Sequence, residues 1–250
     1  MKQAVLRNAV LGGLILCGLA AASTARAETY QVTITNLAHG TGILSEGQPI
    51  APSLFVTHTS DFKLFEVGET PPLTDLKYFG LAKAAETGNP SDLVFAITGA
   101  EGGSDIVVLP VEDRIPPILL PGESNSTTIT ADEGAHLFSA VAMLGATNDA
   151  FYAVRGVELP ESGSITVYGT AYDAGSEANS EALADIPPGG NLDEDGDNNI
   201  GANGEGYIHV HSGIHGLQFK DNKKSPEYLN PAIYDWRNPV VEITIENMGG

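Results

Sequence analysis

Residues Tyr30–Asn36 read YQVTITN, and residues Val240–Glu246 read VVEITIE. In the first stretch Tyr30, Val32 and Ile34 fall on one face and Gln31, Thr33 and Thr35 on the other. In the second, Val241, Ile243 and Ile245 share a face. Apolar β-branched residues at period two mark a strand with one buried and one wet face. The two stretches open and close the folded part of the chain, so they are expected to pair in one sheet.

Between them lie further short segments of strand character: Asp105–Leu109, Ser126–Ala131, His136–Leu144, Ala150–Val157, Ser164–Tyr172 and Gly206–His211. Turn-forming clusters separate them, among them Pro121-Gly122, Thr147-Asn148-Asp149 and Pro160–Gly163. Strands at this spacing predict an all-β fold, an antiparallel β-sandwich. Two helices interrupt it. Leu73–Thr87 carries Leu76, Phe79, Leu81, Ala84 and Ala85 at rough helical spacing and is stopped by Gly88-Asn89-Pro90, and Ser91–Thr98 is a shorter second one. Ser176–Glu205, rich in Pro, Gly, Asn and Asp, is expected to be a flexible acidic loop. No internal repeat and no domain boundary is visible, so residues 28–250 are read as a single domain.

The start of the chain sets the expected compartment. Lys2 and Arg7 precede an apolar run from Ala9 to Ala22, and Ala25-Arg26-Ala27 supplies a small-x-small cleavage pattern. Residues 1–27 are read as a secretory signal, because the run falls short of the roughly 20 residues that cross a bilayer. The expected location is periplasmic or extracellular, with no transmembrane segment after cleavage. Cys17 is the sole cysteine and leaves with the leader, so the fold must rest on its core, or on core plus metal. Lys and Arg number 12 against 32 Asp and Glu, a formal charge of −20. That balance argues against nucleic acid and anionic lipid as partners, and it favours cations.

Three constellations carry candidate chemistry. Tyr172–Asn179 reads YDAGSEAN, placing Asp173 and Glu177 four residues apart across a glycine turn. Asp149, on the turn before another strand, can join them from the same end of the fold. Ca²⁺ takes six to eight oxygen ligands, and clustered carboxylates on turns supply part of such a shell, although most acids in turns are solvated caps. Tyr207–His215 reads YIHVHSGIH. His209 and His211 share a strand face, and with His215 they suit Zn²⁺ or Cu²⁺, unless they serve backbone or carboxylate hydrogen bonds. Asn191–Asn199, NLDEDGDNN, imitates half of an EF-hand loop. The twelfth position is Ala202 or Gly204, depending on where the loop starts, so the bidentate glutamate is missing.

Several stretches together resemble the spondin-N domain family, found in F-spondin, mindin and many bacterial secreted proteins. They are YQVTITN, Ser53–Glu69, Phe138–Leu144, Asn148–Phe151, YDAGSEAN and Asn238–Val241. The resemblance implies a C2-like β-sandwich with one Ca²⁺ held by loops at one end. It puts the ligands at Asp149, Asp173 and Glu177. Glu177 stands where animal members usually carry aspartate, Arg155 stands where they have a further aspartate, and their disulfides have no counterpart here. Their contacts in axon guidance and matrix therefore do not carry over.

Catalytic motifs are absent: there is no Gly-x-Ser-x-Gly elbow, no His-Glu-x-x-His helix and no glycine-rich phosphate loop. Ser212 beside His211 and His215 lacks a placed acid and an oxyanion hole. The expectation is an exported Ca²⁺-binding module, not an enzyme, that contacts a cell-surface, matrix or glycan partner. The alternative is a transition-metal binder built on His209, His211 and His215.

Overall fold

The computed structural model describes residues 26–40, 46–69, 76–186, 204–216 and 227–250. The expected leader as far as residue 25, the acidic stretch Asn191–Asn199 and the first three residues of the first expected helix lie outside the described residues.

The two opening stretches meet as expected. Strand β1 (Glu28–Asn36) runs antiparallel to β9 (Val241–Gly249), with Val32 opposite Ile245 and Ile34 opposite Ile243. On its other edge β1 pairs with β4 (Ser124–Ala131). The apolar members of β1 are buried while Thr33 and Thr35 face out, where their hydroxyls bond Ser126 and Ser124. The remaining strands are β2 (Ser53–His58), β3 (Gly103–Leu109), β5 (Leu137–Met143), β6 (Ala150–Glu158), β7 (Ser164–Asp173) and the two-residue β8 (His209–Val210). All pairings are antiparallel.

The strands form one path, β3-β2-β5-β6-β7-β9-β1-β4, with β8 added beside the end of β7. The path nearly closes into a barrel. Its two outer strands, β3 and β4, are stitched by side chains instead of a backbone ladder. Asp105 Oδ2 accepts from the backbone N–H and the hydroxyl of Thr130, both at 2.8 Å, and Asn125 Nδ2 donates to the Pro110 carbonyl at 2.9 Å. Strand β7 turns the corner on the opposite side. As far as Gly169 it pairs with β9, and from Thr170 onward with β6. A Cβ at Gly169 would stand 2.5 Å from Val241 Cγ2, so the close approach there requires glycine.

Two apolar clusters hold the fold. The interior is filled by Tyr30, Val32, Ile34, Ile129, Phe138, Ile243 and Ile245, with Trp236 at one end. The second cluster lies on the outer face of β2, β5 and β6, where helices α1 (Leu76–Thr87) and α2 (Ser91–Ile97) lay Leu81, Ala85, Leu93 and Ile97 against Leu54, Val56, Val141 and Phe151. Strands β2 and β5 are thus buried on both faces, which is why SLFVTH and LFSAVAM do not alternate. A third short helix, α3 (Pro231–Tyr234), starts with Pro at its first turn and an Asn230 cap that accepts from Ala232 N–H at 3.0 Å. Among the described residues no helix is long and apolar enough to cross a membrane.

The insert expected to be loose is tied down as far as residue 186. The Asp149 carboxylate takes the N–H groups of Ser176 and Glu177, and Ala182 pairs with Tyr228. Glu181, buried, accepts from the N–H groups of His215 and Gly216 at 2.5 and 2.7 Å. Sequence composition missed this because the anchors are buried carboxylates gripping backbone amides, while Asp and Glu in such runs are usually read as solvated.

Candidate metal centre

The β6–β7 ladder places Ala150 opposite Asp173, and the Ala174 N–H donates to the Asp149 carbonyl at 3.1 Å. Two aspartates from distant parts of the chain are therefore neighbours at the end of the same strand pair. The turn before β6 is fixed by Thr147, whose hydroxyl donates to the Leu144 carbonyl at 2.6 Å and accepts from Ala150 N–H at 3.1 Å. After β7 the chain turns through Ala174-Gly175, where the Gly175 N–H donates to Asp173 Oδ1 at 2.7 Å. Gly175 has φ +70°, and a Cβ there would lie 2.3 Å from the Tyr207 carbonyl oxygen. The glycine lets the segment 204–208 pass directly over the turn, closed by a Gly206 N–H bond to the Gly175 carbonyl at 2.8 Å.

Both aspartates are fully buried. Asp149 Oδ2 accepts three bonds, from Ser176 N–H (2.8 Å), Ser176 Oγ (3.2 Å) and Glu177 N–H (3.0 Å), whereas Oδ1 is buried with no hydrogen-bond partner. Burial, and next the nearby negative charge of Asp173, push the Asp149 carboxyl up to about 7. Asp173 is also raised, chiefly by burial, against the pull of its bonds from Asn179 and Gly175. Among the described residues no lysine or arginine forms an ion pair with either acid; the ion-pair neighbours of Asp173 Oδ2 are His209 Nδ1 at 4.0 Å and His211 Nε2 at 3.8 Å. Glu177, the third expected ligand, is buried, and its backbone N–H sits on Asp149.

The three histidines expected to act together are placed differently from one another. His211 is buried against Trp236 (ring centroids 4.9 Å apart). Its Nδ1 accepts from Gly213 N–H at 2.9 Å, so the proton resides on Nε2, which donates to Asn179 Oδ1 at 2.9 Å. Burial holds it near pKa 4, lowered further by His209 and His215. His215 is exposed, with Nε2 2.9 Å from Ser212 Oγ. Only His209 presents a buried ring nitrogen, Nδ1, with no hydrogen-bond partner. The structure adds two residues to this end that sequence reasoning did not select. Asn179 Nδ2 donates to Asp173 Oδ2 (2.6 Å) and Glu205 Oε1 (3.3 Å), and one ligand atom each from Asp173, Glu205 and His209 lies within 4.8 Å of the others. Glu205 gave no signal in the sequence, since it ends a polar insert and only the glycine-turn crossing brings it back. Arg155 lies over the rings of Phe65 and Tyr172, at 5.0 and 5.5 Å.

A second buried polar group lies elsewhere in the sheet. His58 Nδ1 is 2.8 Å from the Thr59 carbonyl, its Nε2 is 2.8 Å from Ser139 Oγ, and Ser139 Oγ accepts from Gly156 N–H at 2.9 Å. The pair sits at a bulge, where Phe138 faces Val157 but Ala140 faces Val154. Ser139 satisfies the amide that the bulge frees. The imidazole is oriented by a backbone carbonyl and both residues are buried, so the pair lacks the acid and the access that nucleophilic catalysis needs.

No protein-family model and no curated protein matches the chain.

Proposed function

We propose that the protein is an exported Ca²⁺-binding β-sandwich module of the spondin-N type, whose ion is held by Asp149 and Asp173 with Glu177 beside them. One observation carries the reading: two buried aspartates repel one another without a lysine or arginine partner among the described residues, and Asp149 Oδ1 is buried without a donor. Burying ionised carboxylates unpaired is costly, and a divalent cation removes that cost. The backbone amides of Ser176 and Glu177 pin Asp149 Oδ2, which leaves Oδ1 as the ligand atom. The strand path supports the sandwich reading, because β7 divides its pairing at Gly169 between a β9-β1-β4 layer and a β6-β5-β2-β3 layer. The resemblance in YDAGSEAN and Asn148–Phe151 supports the ligand positions, and the acidic composition suits a Ca²⁺-rich exterior. The module works through the loops at the ion's end, by binding a cell-surface, matrix or glycan partner and not by catalysis.

The test is the melting temperature of the purified protein in Ca²⁺ and in chelator. A ligand that binds only the folded state raises it. The expected result is a rise with Ca²⁺ in the wild type and none in Asp149→Asn; a wild type indifferent to Ca²⁺ overturns the reading.

A further inference from the structure

We propose that Asp173, Glu205 and His209 form a second metal site, for a divalent transition-metal ion such as Zn²⁺, on the outer side of the aspartate pair. It shares only Asp173 with the Ca²⁺ site and uses one of the three histidines singled out in the sequence.

The backbone builds most of it. Strand β8 exists as a two-residue pairing with the end of β7, and that pairing sets His209 directly opposite Asp173. The 204–208 segment then carries Glu205 over the Gly175 turn to the same point. His209 is held edge-on by the ring of Tyr207, with centroids 5.0 Å apart at 83°. In that orientation Nδ1 looks toward Asp173 Oδ2 across 4.0 Å, too far for a hydrogen bond, and finds no other partner although it is buried. Nitrogen and oxygen ligands bind Zn²⁺ at about 2.0–2.2 Å, so a pair on one ion stands roughly 3.3–3.5 Å apart. The three ligand atoms, all within 4.8 Å of one another, need to close by at most about 1.5 Å. Glu205 is exposed and can swing to supply that closure.

Asn179 reinforces the geometry. Its amide nitrogen already draws the Asp173 and Glu205 carboxylates toward one point, and its oxygen is held by His211 Nε2–H. His211, with both ring nitrogens engaged, is a positioning residue and not a ligand. Such outer partners orient the groups that touch a metal. The donor chemistry separates the two sites: Ca²⁺ takes oxygen ligands, whereas an imidazole with two carboxylates suits a first-row ion. Three protein ligands leave a coordination position open on the exposed Glu205 side.

Calorimetric titration with ZnCl₂, in saturating Ca²⁺, tests the assignment. The wild type is expected to bind one Zn²⁺. His209→Ala and Glu205→Gln are each expected to weaken it at least tenfold, while His215→Ala binds as the wild type does. Because Glu205 is exposed, Glu205→Gln probes the site without disturbing the core. Zn²⁺ affinity unchanged in both His209→Ala and Glu205→Gln, or lowered equally by His215→Ala, overturns it. The Ca²⁺ response of the melting temperature, lost in Asp149→Asn, is read separately, so the two assignments fail on different results.

Discussion

Two buried polar clusters sit in the same sheet and obey opposite rules. Around His58 the four polar partners, His58, Ser139, the Gly156 amide and the Thr59 carbonyl, account for one another with bonds of 2.8–2.9 Å. Around Asp149 and Asp173 the excess is of one sign: two carboxylates share the space, Asp149 Oδ1 and His209 Nδ1 lack donors or acceptors, and Asp149 is driven up to about 7. The first cluster repairs a bulge and is complete as it stands. The second, on our proposal, is completed by a cation. Burial of polar groups is therefore no sign of function by itself; an unbalanced account of charges and lone pairs is.

The contrast is broken most sharply by Asp149→Asn. In chelator the substitution relieves the repulsion and raises the melting temperature. With Ca²⁺ at about 100 times its Kd the wild type gains about 2.7 kcal/mol, roughly 5–10 °C for a chain of this size, and the variant does not. A differential scanning calorimeter should thus see the order of the two proteins reverse on adding Ca²⁺. Ser139→Ala behaves in the opposite way. It strips His58 Nε2 and the Gly156 amide of their partner and costs about 1–3 kcal/mol by denaturant titration, the same with Ca²⁺ as without.

Acidity sharpens the comparison further. Asp149 keeps its proton in the folded state up to about pH 7, against an ordinary value near 4, so that proton stabilises the metal-free fold at low pH and the benefit fades as pH rises through 7. His211 runs the other way, since its lowered value adds stability as pH rises from about 4 toward its ordinary range. The difference between Ca²⁺ and chelator isolates the carboxylate. Ca²⁺ affinity measured by calorimetry should fall below pH 7, by up to about tenfold per unit for one competing proton. The smallest expected effect is that of Arg155→Ala, which removes a cation from the faces of Phe65 and Tyr172. It should lower stability by about 0.5–1 kcal/mol and leave Ca²⁺ affinity intact.

The alternating strands were plain in the sequence; of the two-sided ones, β5 was read as the strand His136–Leu144 and β2 was not read as a strand. In β1 and β9 one face is wet, so Val32, Ile34, Ile243 and Ile245 announce their pairing by period alone. In β2 and β5 both faces are dry, and the helices that cover them erase the alternation. At the site, Asp149 and Asp173 stood out in the sequence because each lies where a turn meets a strand. Their adjacency is a register fact of β6 and β7. Glu205 was not legible, because its return depends on Gly175 admitting the backbone of Tyr207, a contact no spacing rule records. The three imidazoles close in sequence have three different surroundings, and among them only His209 keeps a buried nitrogen unengaged.

The most direct measurement is anomalous diffraction from crystals grown in Ca²⁺. A peak about 2.3–2.6 Å from carboxylate oxygens of both Asp149 and Asp173 is the predicted result. Ca²⁺ bound at other carboxylates alone, with the two aspartates turned from one another, would contradict the account.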